Sequence, residues 1–593
     1  MKSWFTFFLV AIISMTKYDI TTGDFVADIF SAATITGQLG FGGKISRYEF
    51  NHDESKMLII SEVESIYRRS YLAKYHIYDF ASGELKTPFE DGKIMNATFS
   101  PDATKVAYVW ENNLYYYDIA SETTLPITFD GSKNEIINGV SDWVYEEEFS
   151  IVKCFWWSPD SKRIAYVKFD EKSVPEFTMT LYNDELYPRY QTFKYPKVGA
   201  TNASVSVHMY DLGTEESEAV DVGSLDDMYV PRVKWTQDAD EVCIYKMNRH
   251  QNHLQLLIHN AADKYTRTLL EEKNKYYIDI TDNLTFLKDG KSFIWTSEKD
   301  GYNHVYRYDM KGKEKCALTK GNFDITALYG VDEENDKIYY QSAEESPLRR
   351  HVYEMNLKGK KKRKMTTKDG WNGARFSSTF DYYTLSHSTI NTASTYDVYN
   401  RKGQVVRQLE DNKAFGKKLT EYNTSPIEFF DFNTSEGVTL NGYMIKPKDF
   451  DPNKKYPVFM TQYSGPGSQQ VTDSWKGLNG MWYQMLAQQG YIVACVDPRG
   501  TGARGEEFKK MTYLQLGKYE TMDQIEAAKY LGGLSYTDAS KIGIFGWSYG
   551  GYMSSLCIFK GANVFKAAIA VAPVTNWKWY DTIYTERYMR TER

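Results

Sequence analysis

Between Lys541 and Tyr552 the chain reads K-I-G-I-F-G-W-S-Y-G-G-Y, and within it Gly546, Trp547, Ser548, Tyr549 and Gly550 form G-x-S-x-G. A serine hydroxyl is a weak nucleophile unless its position exposes it and donors await the oxyanion its attack creates. Residues 542–545 predict a short buried strand and residues 551–559 a helix, so the serine falls on a sharp strand-to-helix turn. Side chains two residues to either side would collide with the flanking strand and helix, which explains the glycines. The same turn aims the N–H of Tyr549 at the place where an oxyanion would form. A Gly-rich turn without chemistry is the alternative for the bare pattern; the strand and helix around it favour the nucleophile.

The elements that must position this serine divide the chain in two. A length of 593 residues exceeds one core and predicts at least two domains. From about residue 35 to 408 a loose theme recurs: an aromatic residue, a polar turn, an apolar strand, then a second strand ending in Tyr-Asp. Examples are F-S-P-D-A-T-K-V-A-Y-V from Phe99, W-S-P-D-S-K-R-I-A-Y-V from Trp157 and F-L-K-D-G-K-S-F-I-W from Phe286. Spacings of roughly 40–50 residues between such strand pairs mark a β-propeller. Seven copies can be read, and residues 35–48 would add strands of another, giving eight blades; two stacked β-sandwiches are the rival. The long Tyr- and Pro-rich interval 172–231 reads as an insertion that could meet a partner subunit. After about residue 416 strands and helices alternate, predicting a parallel sheet. In it the helix near 521–531 has Thr521 and Gln524 at capping-box spacing, with Met522, Ile525, Ala528 and Leu531 on its buried face. A nucleophile elbow on such a sheet is an α/β-hydrolase. The expected domains are 1–18 as signal peptide or anchor, 19–415 as propeller with an N-terminal strap, and 416–593 as hydrolase.

Composition excludes several functions. A formal net charge of −7 and one short basic run, Lys358 to Lys364, argue against nucleic-acid binding. Five scattered cysteines without C-x-x-C support neither a disulfide scaffold nor a cysteine metal site, and predict buried free thiols. The apolar run from Trp4 to Met15 is too short to span a bilayer and suits an export signal, cleaved or kept as an anchor.

A propeller followed by a hydrolase whose elbow reads G-W-S-Y-G-G-Y resembles the prolyl oligopeptidase family, and its dipeptidyl peptidase IV branch most closely. Asp142 to Glu148, D-W-V-Y-E-E-E, is similar to that branch's paired-glutamate motif. Val571 to Met589 resembles its specificity-pocket segment, and Gln462 to Gly467 its oxyanion-tyrosine loop. The likeness runs from about Asp19 to Arg593. It implies that Ser548 forms an acyl-enzyme, with Tyr463 and the Tyr549 N–H as oxyanion donors. Glu147 and Glu148 would hold a substrate's free α-ammonium, and Arg68, with Arg69 as competitor, would contact a substrate carbonyl. Tyr549, Val574, Trp577, Tyr580 and Tyr584 would wall a pocket for proline or alanine. On residue types alone, Glu146–Glu148 reads as a solvated acidic loop and Tyr463 as a turn tyrosine. Trp577, Tyr580 and Tyr584 would share a helix face as a core stripe.

The implied activity is removal of X-Pro or X-Ala dipeptides from peptide N-termini by an exported enzyme, without metal or cofactor and commonly as a homodimer. A related oligopeptidase or acylaminoacyl peptidase is the alternative, as is a catalytically dead fragment acting only in binding. One departure is plain: the fold orders its triad Ser, Asp, His, yet all nine histidines lie at or before His387, and Asp581, the only Asp after the elbow, comes too soon. The expectation is therefore a C-terminal truncation with activity far below that of an intact triad.

Overall fold

The computed structural model describes residues 14–224 and 227–591. Most of the expected leader, residues 1–13, lies outside them. Its tail is described: Ser14–Tyr18 is a strand paired antiparallel with Phe25–Ser31.

Seven antiparallel sheets of four or five strands then follow in sequence, spanning 47–86, 95–126, 136–219, 228–273, 285–317, 325–364 and 371–410. Residues 35–48 do not make a further blade. They carry a 3-10 turn, Gln38–Gly40, and lead into the edge strand Arg47–Phe50 of the first full sheet. Besides these seven, the described residues before 411 add only two two-stranded ladders, 14–31 and 176–194. The recurring residues have a clear local cause. In Ser-Pro-Asp turns the aspartate closes the bend: Asp102 Oδ1 accepts from Ser100 Oγ (2.6 Å) and Thr104 N (3.0 Å), and Asp160 Oδ1 accepts from Ser158 Oγ (2.6 Å) and Lys162 N (3.2 Å). The Asp of Tyr-Asp acts similarly one strand later, where Asp79 accepts from Ala81 N and Ser82 N, and Asp118 from Ala120 N and Ser121 N.

The interval 172–231 is less of an insertion than its composition suggests. Ser204–Asp211 and Glu216–Ala219 are ordinary strands of the third sheet, and only the hairpin Glu176–Leu181 with Arg189–Lys194 is extra. The basic run ends in the edge strand Arg363–Lys364, and its charges are met by Glu344, Glu354 and Glu345.

The chain forms two compact units. One holds Asp24–Ile280 and the stretch from Lys578 onward; the other is Thr281–Trp577 with Ile20–Gly23. The second contains a six-stranded sheet ordered Ile427–Asn433, Thr439–Ile445, Ile492–Asp497, Tyr456–Thr461, Thr537–Trp547, Phe565–Val571. It is mixed rather than parallel: a tight turn at 434–437 folds the first two strands into an antiparallel hairpin, and only the last four run parallel. Met460, Ala494, Val496, Ile544 and Phe565 pack against Ala527, Ala528, Leu531 and Cys557 in its core.

The helix Tyr519–Gly532 begins two residues before the expected capping box. Thr521 is thus inside it, its hydroxyl donating to Gly517 O (2.5 Å). Ala528 and Leu531 are fully buried as expected, but so are the polar Glu520, Asp523 and Gln524, whereas Met522 and Ile525 are half-buried. All five cysteines are free; four are buried and Cys316 is half-buried on an edge strand.

Candidate active site

Ser548 sits between the strand Thr537–Trp547 and the helix Tyr549–Lys560 at φ 58°, ψ −114°, a conformation a non-glycine residue reaches only under strain of about 1–3 kcal/mol. Close packing enforces it. A Cβ on Gly546 would lie 2.2 Å from Gly550 O, and one on Gly550 would lie 2.6 Å from Gln462 O. Ser548 N donates to Val571 O (2.9 Å), tying the turn to the neighbouring strand. Tyr549 opens the helix, so its N–H belongs to a first turn whose donors point out along the axis.

Beneath the elbow lies a chain of buried amides and hydroxyls. Gln462 Nε2 donates to Gly550 O (2.7 Å), Ser464 Oγ donates to Gln462 Oε1 (2.8 Å), and Gln524 Nε2 donates to Ser464 Oγ (3.2 Å) and Val496 O (2.9 Å). Tyr463 stands between Gln462 and Ser464. Its Cα would be 3.2 Å from a Cβ on Gly550, and its ring centroid is 6.1 Å from that of Tyr549. The elbow and the tyrosine loop are therefore built as one piece.

Tyr549 is turned inward. Its hydroxyl donates to Glu520 Oε1 (2.5 Å), and its ring meets Trp577 with centroids 5.7 Å apart. Glu520 is fully buried, and desolvation pushes its carboxyl up to about 7 against the opposing Tyr549 hydrogen bond. One turn on, Asp523 grips Arg499 through Nη2 (2.6 Å), Nε and the main-chain N–H (2.8 Å). Val574 lies half-buried in the irregular stretch before Trp577.

The other unit holds the acidic residues. Asp142 caps the helix Trp143–Phe149 by accepting from Tyr145 N (2.9 Å), worth about 1 kcal/mol, so the triplet is helical rather than a loop. The three glutamates differ sharply. Glu146 is buried and consumed by the main chain, its Oε1 accepting from Arg69 N (2.7 Å) and Ser70 N (3.0 Å). Glu147 accepts from Arg68 Nε (2.7 Å), while Arg69 turns to Ser150 Oγ (2.8 Å). Glu148 faces Asp581; burial first, and the Asp581 charge second, hold its carboxyl well above the usual range.

Asp581 is itself fully buried, N-caps the helix Thr582–Met589 through Tyr584 N (2.8 Å), and is pushed up to about 6, mainly by desolvation. Two carboxyls so placed favour holding one proton between them. The helix is clamped by Arg249, which donates to both oxygens of the buried Glu586 (2.6 and 2.8 Å). Burial and the charges of Glu148 and Asp581 hold the phenols of Tyr580 and Tyr195 far above their ordinary range. The single helical face expected for Trp577, Tyr580 and Tyr584 does not form. Trp577 is in a 3-10 turn, Asp581 restarts the chain as a helix cap, and only Tyr584 is helical, its ring 5.3 Å from that of Tyr580.

Asp581, Glu520, Gln462 and the Arg499–Asp523 pair escaped the sequence reading as site residues. Gln462 directly before Tyr463 and the D-P-R-G at Asp497 were the visible signals.

A serine held strained at a strand-to-helix elbow, following in the chain a run of antiparallel sheets, defines a serine hydrolase of the propeller-bearing type. The profile of the dipeptidyl peptidase IV (DPP IV) N-terminal region matches residues 51–394, and that of the prolyl oligopeptidase family residues 480–593. The chain is 33% identical over 564 residues to dipeptidyl peptidase 4 of Trichophyton tonsurans, covering 92% of this chain and 72% of that protein. The same figures hold for dipeptidyl peptidase 4 of Arthroderma otae. The crystal structure of Porphyromonas gingivalis dipeptidyl peptidase 4 superposes with a TM-score of 0.94 at 42% identity, covering 98% of this chain and 82% of that one. The chain belongs to the prolyl oligopeptidase family, in its dipeptidyl peptidase IV branch.

Proposed function

We propose that the protein is a serine exopeptidase that releases X-Pro and X-Ala dipeptides from peptide N-termini. Ser548 Oγ attacks the carbonyl of the penultimate residue, the peptide bond beyond it breaks, and the shortened peptide leaves as an amine that takes up the serine's proton; water then hydrolyses the ester and frees the dipeptide, with Tyr463 Oη and the Tyr549 N–H stabilising the oxyanion. Glu147 and Glu148 receive the substrate's α-ammonium, and Arg68, held by Glu147, reaches a substrate carbonyl. Val574, Trp577, Tyr580, Tyr584 and the Tyr549 ring wall the proline pocket. No metal or cofactor enters these steps. The observation that carries the exopeptidase reading is the division of labour among three consecutive glutamates. Glu146 is spent on main-chain N–H groups, while Glu147, paired with the Arg68 side chain, and Glu148, beside Asp581, lie partly exposed on a capped helix.

The same reading extends to assembly and location. The hairpin Glu176–Leu181/Arg189–Lys194 exposes Phe177, Met179, Tyr187 and Tyr190, with Tyr182 and Leu186 at its tip, an apolar surface suited to a second copy of the chain. Residues 1–18 would direct export or anchor the protein, and the propeller would span 19–415. No helix among the described residues is long and apolar enough to cross a membrane. The deciding experiment is labelling of the nucleophile. A fluorophosphonate probe should label Ser548, and Ser548→Ala should abolish both labelling and X-Pro-anilide hydrolysis; persistence of either in the variant refutes the nucleophile.

A further inference from the structure

The sheet spanning 325–364 carries a side-chain cluster that the peptidase reading does not use. His351 opens the strand His351–Met355 and is 1% exposed. Its Nδ1 lies 3.0 Å from Thr366 Oγ1, which also accepts from Val352 N (3.2 Å). Its Nε2 is buried with no aligned hydrogen-bond partner, yet lies 3.2 Å from Glu345 Oε2 and 4.0 Å from Asp369 Oδ1. The preceding sheet supplies an internal control. His304 opens the equivalent strand, with Nδ1 3.0 Å from Thr319 Oγ1 and Val305 N donating to the same hydroxyl. There, however, Nε2 is met by a main-chain oxygen, Gly321 O, at 2.9 Å. The repeat thus preserves the His–Thr pair and, in one sheet, replaces a carbonyl with two carboxylates.

We propose that His351 Nε2, Glu345 and Asp369 form a binding site for a divalent transition ion, with Zn²⁺ as the best-matched metal. One ligand atom from each of the three lies within 4.8 Å of the others. Ligands about 2.0–2.2 Å from a tetrahedral ion stand about 3.3–3.6 Å apart; the 3.2 Å His351–Glu345 separation already matches, and the 4.0 Å to Asp369 must shorten by a few tenths of an ångström. Three protein ligands leave a fourth position for water. One imidazole with two carboxylates suits zinc better than calcium or magnesium, which take oxygen alone. The outer groups are those such a site needs. Thr366 fixes the ring through Nδ1, leaving Nε2 to the ion. Lys364 Nζ holds Glu345 Oε1 (2.6 Å) and Arg349 Nη1 holds Asp369 Oδ2 (2.6 Å), so each carboxylate keeps its second oxygen for the metal. Cysteine spacing is silent about this site because its ligands come from a strand, a connection within its sheet and the connection to the next sheet. The connection bearing Glu345 also meets the segment after the Tyr463 loop, where Gln469 Nε2 donates to Pro347 O (2.7 Å) and Asp473 N to Leu348 O (2.8 Å). An ion would staple it to the connection bearing Asp369.

The test is calorimetric titration of ZnCl₂ into chelator-free protein, alongside thermal melts with and without Zn²⁺. The expected result is one Zn²⁺ per chain, a raised Tm, and no comparable binding of Mg²⁺ or Ca²⁺. Asp369→Asn and Glu345→Gln, both at exposed positions that leave the fold intact, should each weaken binding at least about tenfold. His351→Gln should abolish it, and His253→Gln, at the exposed His253–Glu271 pair, should leave it unchanged. Absence of a stoichiometric site, equal affinity for Mg²⁺, or unaltered affinity in both carboxamide variants would overturn the assignment.

Discussion

The elbow and the acidic helix reach precision by opposite means. Around Ser548 the fold stores strain: glycines without room for a Cβ, a serine at φ 58°, and a buried chain from Gln462 to Gln524 that fixes the turn from below. Around Glu147 and Glu148 the fold stores charge: caps at Asp142 and Asp581 set two helices, and burial makes the carboxyls of Glu148 and Asp581 costly to ionise. Strain suits a nucleophile whose position must not change during reaction. A carboxyl that is costly to ionise would suit a receptor for a cation, because an arriving ammonium would relieve what burial imposes at Glu148. The contrast separates a site for chemistry from a site for selection, and mutations should separate them as well.

The largest effect belongs to the elbow. Ser548→Ala should abolish acylation, and with it peptidase turnover, while peptide binding survives. Tyr463→Phe should lower kcat about 10²- to 10³-fold with KM little changed, the signature of a donor that acts on the oxyanion; an equal loss in KM would make it a structural tyrosine. On the charge side, Asp581→Asn removes the negative neighbour of Glu148. Its carboxyl should then ionise at lower pH, and the acid limb of kcat/KM should move to lower pH with kcat nearly unchanged. An unmoved limb would remove Asp581 from the recognition of substrate.

The smallest effect is on stability. The Glu520 carboxyl rises from 4.5 to about 7 on folding, so its favourable contribution is full below pH 4.5 and is lost as pH climbs through about 7. Glu520→Gln should therefore flatten the decline of Tm between pH 5 and 8, by on the order of 1–3 kcal/mol in stability. Parallel declines in both proteins would place the slope elsewhere.

The two regions also differed in how far the sequence revealed them. The elbow could be read from residues alone because steric exclusion leaves a mark: only glycine fits at 546 and 550. The strands that follow Ser100-Pro101-Asp102 and Ser158-Pro159-Asp160 could be read in the same way, since apolar runs and Asp-closed turns are local. The acidic helix gave no such mark. Three adjacent glutamates look solvated until Asp142 is seen to cap them and Arg69 and Ser70 to consume Glu146, contacts made across 76 residues or more. The resemblance singled out Glu147 and Glu148, and long-range contacts were needed to show why these two differ from their neighbour. Thr521 misled for a related reason: capping-box spacing is local, but the helix began earlier because Glu520 and Asp523 had buried partners in Tyr549 and Arg499.

The most direct test of the account compares X-Pro-anilides carrying a free or an acetylated amine, in the wild type and in the Glu147→Gln, Glu148→Gln double variant. Wild-type enzyme should prefer the free amine, and the double variant should lose that preference, with kcat/KM for the free-amine substrate falling about a hundredfold. Undiminished turnover of the free-amine substrate by the double variant would contradict it and leave a peptidase that does not read the N-terminus.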